Sequence, residues 1–200
     1  MKPIHEFVVK PLGNRYNNSV RIGDKKLILN TEIFNHQYVN REAVIISIPI
    51  HNPKGLREGD TVILHHNVFR RWHNVKGVEK NSRSFLNEDE YLISEDQMFM
   101  YKRDGKWNAM PGFTFVKPIK SQNNYDLTPE KPLVGIVKYS DGAFLPTQLV
   151  GFRPNSKYEF IVDGERLYRV MNSFITIEYE YKGNEEEYNP SWAESSRRVN

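Results

Sequence analysis

Phe7-Val8-Val9-Lys10-Pro11-Leu12 returns in the second half of the chain as Thr114-Phe115-Val116-Lys117-Pro118-Ile119. Tyr91-Leu92-Ile93-Ser94, followed by Met98-Phe99-Met100, returns as Tyr168-Arg169-Val170-Met171, followed by Ile175-Thr176-Ile177. A fainter match sets Gly59-Asp60-Thr61-Val62-Ile63-Leu64 against Pro146-Thr147-Gln148-Leu149-Val150-Gly151. Three matches in one order, offset by roughly 80 to 110 residues, are the signature of two tandem copies of one small module.

The pattern inside each copy is that of strands. Glu42 to Ile50 is β-branched and apolar nearly throughout, too short and too punctuated for a helix. Thr61-Val62-Ile63-Leu64 follows the turn Glu58-Gly59-Asp60. The second copy offers Leu133 to Val137, the turn Ser140-Asp141-Gly142, and Leu149 to Phe152. Asp163-Gly164, between Tyr158–Val162 and Glu165–Val170, is the strongest hairpin signal in the chain. No long segment has a 3.6-residue apolar period. An all-β chain of two tandem small β-barrels is therefore expected, with copies at 1–104 and 105–182 and a tail at 183–200.

Bulk properties narrow the function. The chain has 200 residues, a net charge of +3 and no cysteine, so disulfides and thiolate metal sites are excluded. Residues 1–110 carry 17 Lys/Arg against 13 Asp/Glu, and residues 111–200 carry 11 against 12. That excess is too small to argue nucleic-acid binding by itself. Met1 to Glu6 lacks the apolar run of a signal peptide, and no stretch approaches membrane-spanning length, so a soluble cytoplasmic protein without membrane contact is expected.

Three segments depart from the strand pattern. Leu12 to Asn40 is long, polar and rich in Asn and Gly; its apolar content is Lys26-Leu27-Ile28-Leu29 and Ile33-Phe34. Long excursions inside compact domains are usually functional or disordered. Residues 101–112 read as the joint between copies, with Trp107 and Met110 packed. The tail from Gly183, with Glu185-Glu186-Glu187 and Arg197-Arg198, has the composition of a mobile terminus or extended arm anchored by Trp192.

In this order the elements resemble those of the GroES-like co-chaperonins. Val8-Val9-Lys10-Pro11-Leu12 resembles the family's first strand, and the long polar loop with Leu27-Ile28-Leu29 resembles its mobile loop with an apolar tripeptide. Glu58 to Leu64 is similar to its V-G-D-x-V-x-F turn and strand, and Tyr91 to Phe99 to its closing segment. The second copy is similar through its strand order and through Phe115–Pro118 and Tyr168–Ile177. The chain departs from the family in three places. Only Ile50 to Arg57 occupies the place of the roof hairpin, His65 to Glu90 is longer than usual, and the second copy has just Lys120 to Pro132 where the long loop belongs. Virus-encoded members vary in these places, and chloroplast members are tandem.

The resemblance implies a co-chaperonin lid: Leu27, Ile28 and Leu29 would enter an apolar groove on a GroEL-type chaperonin and close its folding chamber, with ATP hydrolysed by the partner. It implies a closed homo-oligomer, a seven-fold ring matched to the ring it caps. The alternative for the triplet is a strand packed on its own barrel. For the whole chain, the alternatives are a viral or bacterial assembly module built from two barrels, and a small-barrel nucleic-acid binder.

Other constellations carry less. His65-His66 and His73, with His5, His36 and His51, lack an acidic partner motif of metalloenzyme spacing, and adjacent strand histidines would face opposite ways. Phe69-Arg70-Arg71-Trp72 mixes aromatic and basic residues as single-strand binders do, but without a matching basic stripe elsewhere. Glu88-Asp89-Glu90 reads as a solvated acidic turn. No G-x-S-x-G, P-loop or G-x-G-x-x-G is present, so no catalytic, cofactor or metal residue is nominated and no enzyme is expected.

Overall fold

The computed structural model describes residues 3–16, 19–28, 39–52, 54–87, 89–122, 129–181 and 183–195, with side chains at 19–21, 26, 28, 194 and 195 left aside. The chain is all-β and falls into two compact units, Met1–Trp107 and Asn108–Asn200. In the first, β1 (Phe7–Pro11), β4 (Glu42–Ser47), β5 (Thr61–Leu64), β8 (Tyr91–Ile93), β9 (Met98–Arg103) and β10 (Lys106–Ala109) form one sheet in the order β10-β9-β5-β4-β1-β8. Two hairpins stand outside it, β2 (Ser19–Ile22) with β3 (Lys25–Ile28), and β6 (Arg71–His73) with β7 (Glu79–Asn81). In the second unit, β11 (Phe113–Lys120), β12 (Glu130–Ser140), β13 (Leu149–Phe152), β14 (Tyr158–Val162), β15 (Glu165–Met171) and β16 (Ile175–Tyr179) pair in the order β14-β15-β11-β12-β13-β16. Among the described residues, neither sheet closes on itself.

Five strands of each sheet are laid out alike. The run β8-β1-β4-β5-β9 of the first unit has the same chain order and neighbours as β15-β11-β12-β13-β16 of the second. Their registers agree residue by residue. Val9 faces Ile45 on one side and Tyr91 on the other, while Val116 faces Val137 and Tyr168. Both first strands slip register just before that pair, between Val8 and Val9 and between Phe115 and Val116. Both third strands slip again, between Ile63 and Leu64 and between Gly151 and Phe152. Such slips raise the local twist, and two of them at matched positions give both sheets the same bend. A three-residue 3₁₀ turn links the last two strands of each set, Glu95–Gln97 and Asn172–Phe174.

The core repeats at the same positions. Val116, Val137, Val150, Phe152, Tyr168 and Val170 form one buried cluster in the second unit. Their ladder equivalents Val9, Ile45, Val62, Leu64, Tyr91 and Ile93 are all buried in the first. The duplication is therefore a duplication of packing.

One alignment made from sequence is corrected. The Gly59 amide donates to the Ile45 carbonyl at 2.8 Å, and Thr147 donates to Val137 at 2.9 Å, so Gly59 matches Thr147 rather than Pro146. Asp60 then matches Gln148: its carboxylate accepts from the Arg57 amide at 2.9 Å, as the Gln148 side chain accepts from Leu145 at 2.7 Å. The turn needs a left-handed residue, φ +90° at Gly59 and +74° at Thr147. A β-branched residue there costs about 1–2 kcal/mol. Asp60 is also held by Arg103, whose Nε donates to it at 3.1 Å.

The joint and the tail are ordered by pairing. Residues 98–109 form the strands β9 and β10 around an Asp104-Gly105 turn, with Trp107 buried. Beyond β16 the chain lies along the end of β11: the Lys120 amide donates to Glu186 at 2.7 Å and the Tyr188 amide to Pro118 at 2.8 Å. The short helix α1 (Ser191–Ser195) follows, with Ala193 buried. Residues 186–193 thus belong to the second unit as an extended arm.

Thr147→Gly should stabilise the second unit by about 1 kcal/mol by relieving the left-handed strain. A rise in the urea midpoint at unchanged slope checks it; a fall would show that the threonine side chain is held by something else.

Candidate functional site

In both units a segment leaves the end of the first strand and returns as the second. In the first unit this excursion runs from Leu12 to Arg41, and it contains the residues singled out from sequence. Leu27 and Ile28 lie on β3, where they face Val20 and Ser19 across the hairpin. Leu27 is 51% exposed and Ile22, beside the Gly23-Asp24 turn, is 63% exposed. Leu29 lies outside the described residues, as do Ile33, Phe34 and His36. Leu27 is thus not filling for its own sheet, and the hairpin forms a two-stranded sheet of its own.

The root of the excursion is built quite differently. Tyr16 and Val39 pair across it as an isolated bridge, and both are buried. Asn40, also buried, donates to the carbonyls of Leu12 and Asn14 at 2.8 and 2.9 Å and accepts from the Glu42 amide at 2.9 Å. Its backbone amide closes the neck by donating to the Arg15 carbonyl at 2.9 Å. One buried asparagine thereby satisfies the polar backbone where the chain leaves and re-enters the sheet.

Arg15 ties this neck to the other insertion, residues 65–90. Its Nη2 and Nε donate to the Phe69 carbonyl at 3.0 and 3.3 Å, and its Nη1 donates to Asn81 Oδ1 at 2.9 Å. The guanidinium lies over the Tyr91 ring at 5.4 Å and the Phe85 ring at 5.8 Å. A second tie runs beside it: the Arg71 amide donates to the Tyr16 hydroxyl at 2.8 Å, and the Arg71 guanidinium covers the Tyr16 ring at 5.0 Å while pairing with Glu79 at 3.1 Å. Burial pulls Arg15 below its ordinary pKa, with the charge of Arg71 acting the same way, and burial pushes Tyr91 above its own. The Tyr91 hydroxyl is buried with no hydrogen-bond partner among the described residues.

The second unit roots its shorter excursion on the equivalent tyrosine. The Tyr168 hydroxyl donates to Glu130, the first residue of β12, with oxygen separations of 2.7 and 2.8 Å. Lys157 donates to the same carboxylate at 2.9 Å, and Arg166 pairs with it at 3.1 Å. Arg166 also pairs with Glu159 at 2.8 Å and lies over the rings of Tyr168 and Trp192. Burial alone would raise the Glu130 pKa, but the hydrogen bonds from Tyr168 and Lys157 and the charge of Arg166 outweigh it, and the carboxyl is held below its ordinary value. Tyr168 is pushed far above the usual phenol range by burial and by Glu130.

The other sequence candidates have structural places. His65 and His66 follow the end of β5, and their rings stack at 4.3 Å instead of facing opposite ways, because the chain has already turned. Among the described residues no three His, Asp or Glu side chains gather as metal ligands. Phe69 is core, packed edge-on against Tyr91 at 4.7 Å, which leaves Trp72 as the exposed aromatic of that run. Between Ile48 and Asp60 no strand forms among the described residues, and Asn52 holds the segment by bonding both backbone groups of Leu56. Among the described residues, no helix is long and apolar enough to cross a membrane. Arg15, Tyr16 and Asn40 were not nominated from sequence; the signal for them was only their place at the two feet of an overlong excursion.

No family model, curated protein or solved structure matches the chain.

Because the Glu130 carboxyl titrates below its unfolded value of about 4.3, its contribution is present above that value and is lost as pH falls through the folded one. Glu130→Gln should cost about 2 kcal/mol at neutral pH and flatten the acid limb of the stability curve. Urea unfolding as a function of pH checks this; an unchanged acid slope would contradict it.

Proposed function

We propose that the chain is a co-chaperonin lid, made of two tandem GroES-like barrels whose walls are the two six-stranded sheets, that caps a GroEL-type chaperonin. The observation that carries this reading is the hairpin β2–β3: an excursion between the first two strands that displays Ile22 and Leu27 to solvent on a buried, hydrogen-bonded root. The order of elements around it supports the reading, as does the repetition of the same layout in the second unit. In this role Leu27, Ile28 and Leu29 enter an apolar groove on the chaperonin, the chaperonin hydrolyses ATP, and the lid performs no chemistry. The second copy, whose excursion is short, enlarges or braces the lid. The setting is the cytoplasm, where the chaperonin works.

Magnitudes favour a ring of such contacts over a single one. Burying three aliphatic side chains yields roughly 5–8 kcal/mol, while ordering half a dozen residues costs about 1–2 kcal/mol each. A single contact is weak, and several in a closed seven-fold ring bind through effective concentration. A hairpin already paired in the free chain lowers the ordering cost at each site.

Leu27→Asp should weaken nucleotide-dependent capping at least a hundredfold while leaving the oligomer and its melting temperature unchanged. Co-sedimentation with the chaperonin in the presence of ATP measures it. Loss of the oligomer in that variant would show that Leu27 is structural, and unaltered capping would remove the hairpin from the interface.

A further inference from the structure

We propose that the register-matched tyrosine of the fourth core strand of each unit, Tyr91 and Tyr168, is the seat of a lock on the excursion between the first two strands, closed by Arg15 in one copy and by Glu130 in the other. We infer further that Arg15 is the positioning residue that presents the β2–β3 hairpin to its partner; this second half rests on the lid reading.

The two tyrosines are equivalent by register, since Tyr91 pairs with Val9 and Tyr168 with Val116. Both are buried. In each unit the group set on the tyrosine belongs to the foot of the excursion, and it is a charged side chain. Arg15 stands on the outgoing leg, with its guanidinium 5.4 Å from the Tyr91 ring centre. Glu130 stands on the returning leg, 2.7 Å from the Tyr168 hydroxyl. The Tyr168 ring still carries cations, Lys157 at 4.1 Å and Arg166 at 5.0 Å, but neither comes from the excursion; the excursion's own charged group is now a carboxylate on the hydroxyl, and its position has been kept. A residue needed only to fill the core would not require a charged partner at this spot in both copies.

In the first unit the lock reaches further. The Arg15 fork spans from the neck of the excursion to the Phe69 carbonyl and the Asn81 side chain, which both belong to the insertion carrying β6 and β7. Among the described residues, the β2–β3 hairpin pairs with no strand of the main sheet. Its direction is therefore set at the root, and Arg15 joins the root to a second rigid element. Lysine could supply the charge but not the fork that meets two acceptors at once. The long 65–90 insertion, a departure from the family pattern, thereby braces the docking hairpin.

Hydrogen exchange of the full-length chain, combined with capping by the ATP-loaded chaperonin, tests both halves. In Arg15→Met, the amides of residues 19–28 should exchange at least tenfold faster with β1 and β4 unchanged, and capping should weaken at least tenfold. Arg15→Lys should fall between that variant and the native chain. Glu130→Gln should speed exchange only at residues 119–122 and 129–132 and leave capping within twofold. Should Arg15→Met not fold, Asn81→Ala, which removes one acceptor of the fork, should move exchange at 19–28 in the same direction by a smaller factor. Unchanged exchange at 19–28 in these variants would overturn the lock. Faster exchange with unaltered capping would overturn the positioning role alone. A native chain that fails to cap would overturn the lid reading and the positioning role with it, while the exchange rates would still decide the lock.

Discussion

Each unit hangs from a first strand that is hydrogen-bonded on both edges and buried on both faces. Phe7, Val8 and Val9 are consecutive and buried, as are Thr114 to Ile119, which only a strand enclosed from both sides permits. On one edge the strand pairs with the second strand, on the other with the fourth. The register slip at Val8/Val9 and at Phe115/Val116 fixes how the sheet bends around it. Because the first two strands are antiparallel neighbours, the chain between them starts and finishes at one end of the sheet. Closure entropy grows only slowly with loop length, so this connection can be lengthened at little cost to the fold. That is the place where the two copies differ most.

The divergence follows from that freedom. The first copy uses its excursion for an exposed hairpin and ties the root with Arg15, Tyr16 and Asn40. The second returns quickly and ties its root with a buried ionic network around Glu130. Beyond the fifth core strand, the first copy adds β10 to the edge of β9. The second sends its tail to the end of β11, where Lys117 sits between Glu165 and Glu187. Burial alone would lower the Lys117 pKa, but the hydrogen bond it donates to Glu187 and the charge of Glu165 raise it. Each copy thus protects a different part of its sheet.

Much of the fold was legible because strands announce themselves through alternation and turn chemistry. The match between Phe7–Leu12 and Thr114–Ile119 has the register seen in the ladders, and Asp163-Gly164 turns the β14–β15 hairpin with both residues at positive φ. The third match slipped by one residue because Thr147 stands where Gly59 marks the turn, and sequence gives no sign that a threonine has taken a glycine's conformation. For the histidine pair only the expectation of opposite faces fails, because the end of a strand is invisible in residue types alone and both rings lie beyond it. The apolar triplet was visible, but not its root: Arg15 and Asn40 act through neighbours far away in the chain, and a lone arginine in a polar loop has no local pattern to reveal it. The tail read as an arm or a loose end because its pairing with Pro118 and Lys120 is long-range and made by the backbone.

The hairpin and its root give the duplicated scaffold something to present, and whether a chaperonin receives it is the central claim. Native mass spectrometry of the chain with a GroEL-type chaperonin, with and without ATP, tests that claim most directly. The expected result is a closed seven-membered ring of this chain seated on one chaperonin ring only when nucleotide is present. A stable assembly of another symmetry that ignores the chaperonin, with or without nucleotide, would contradict it.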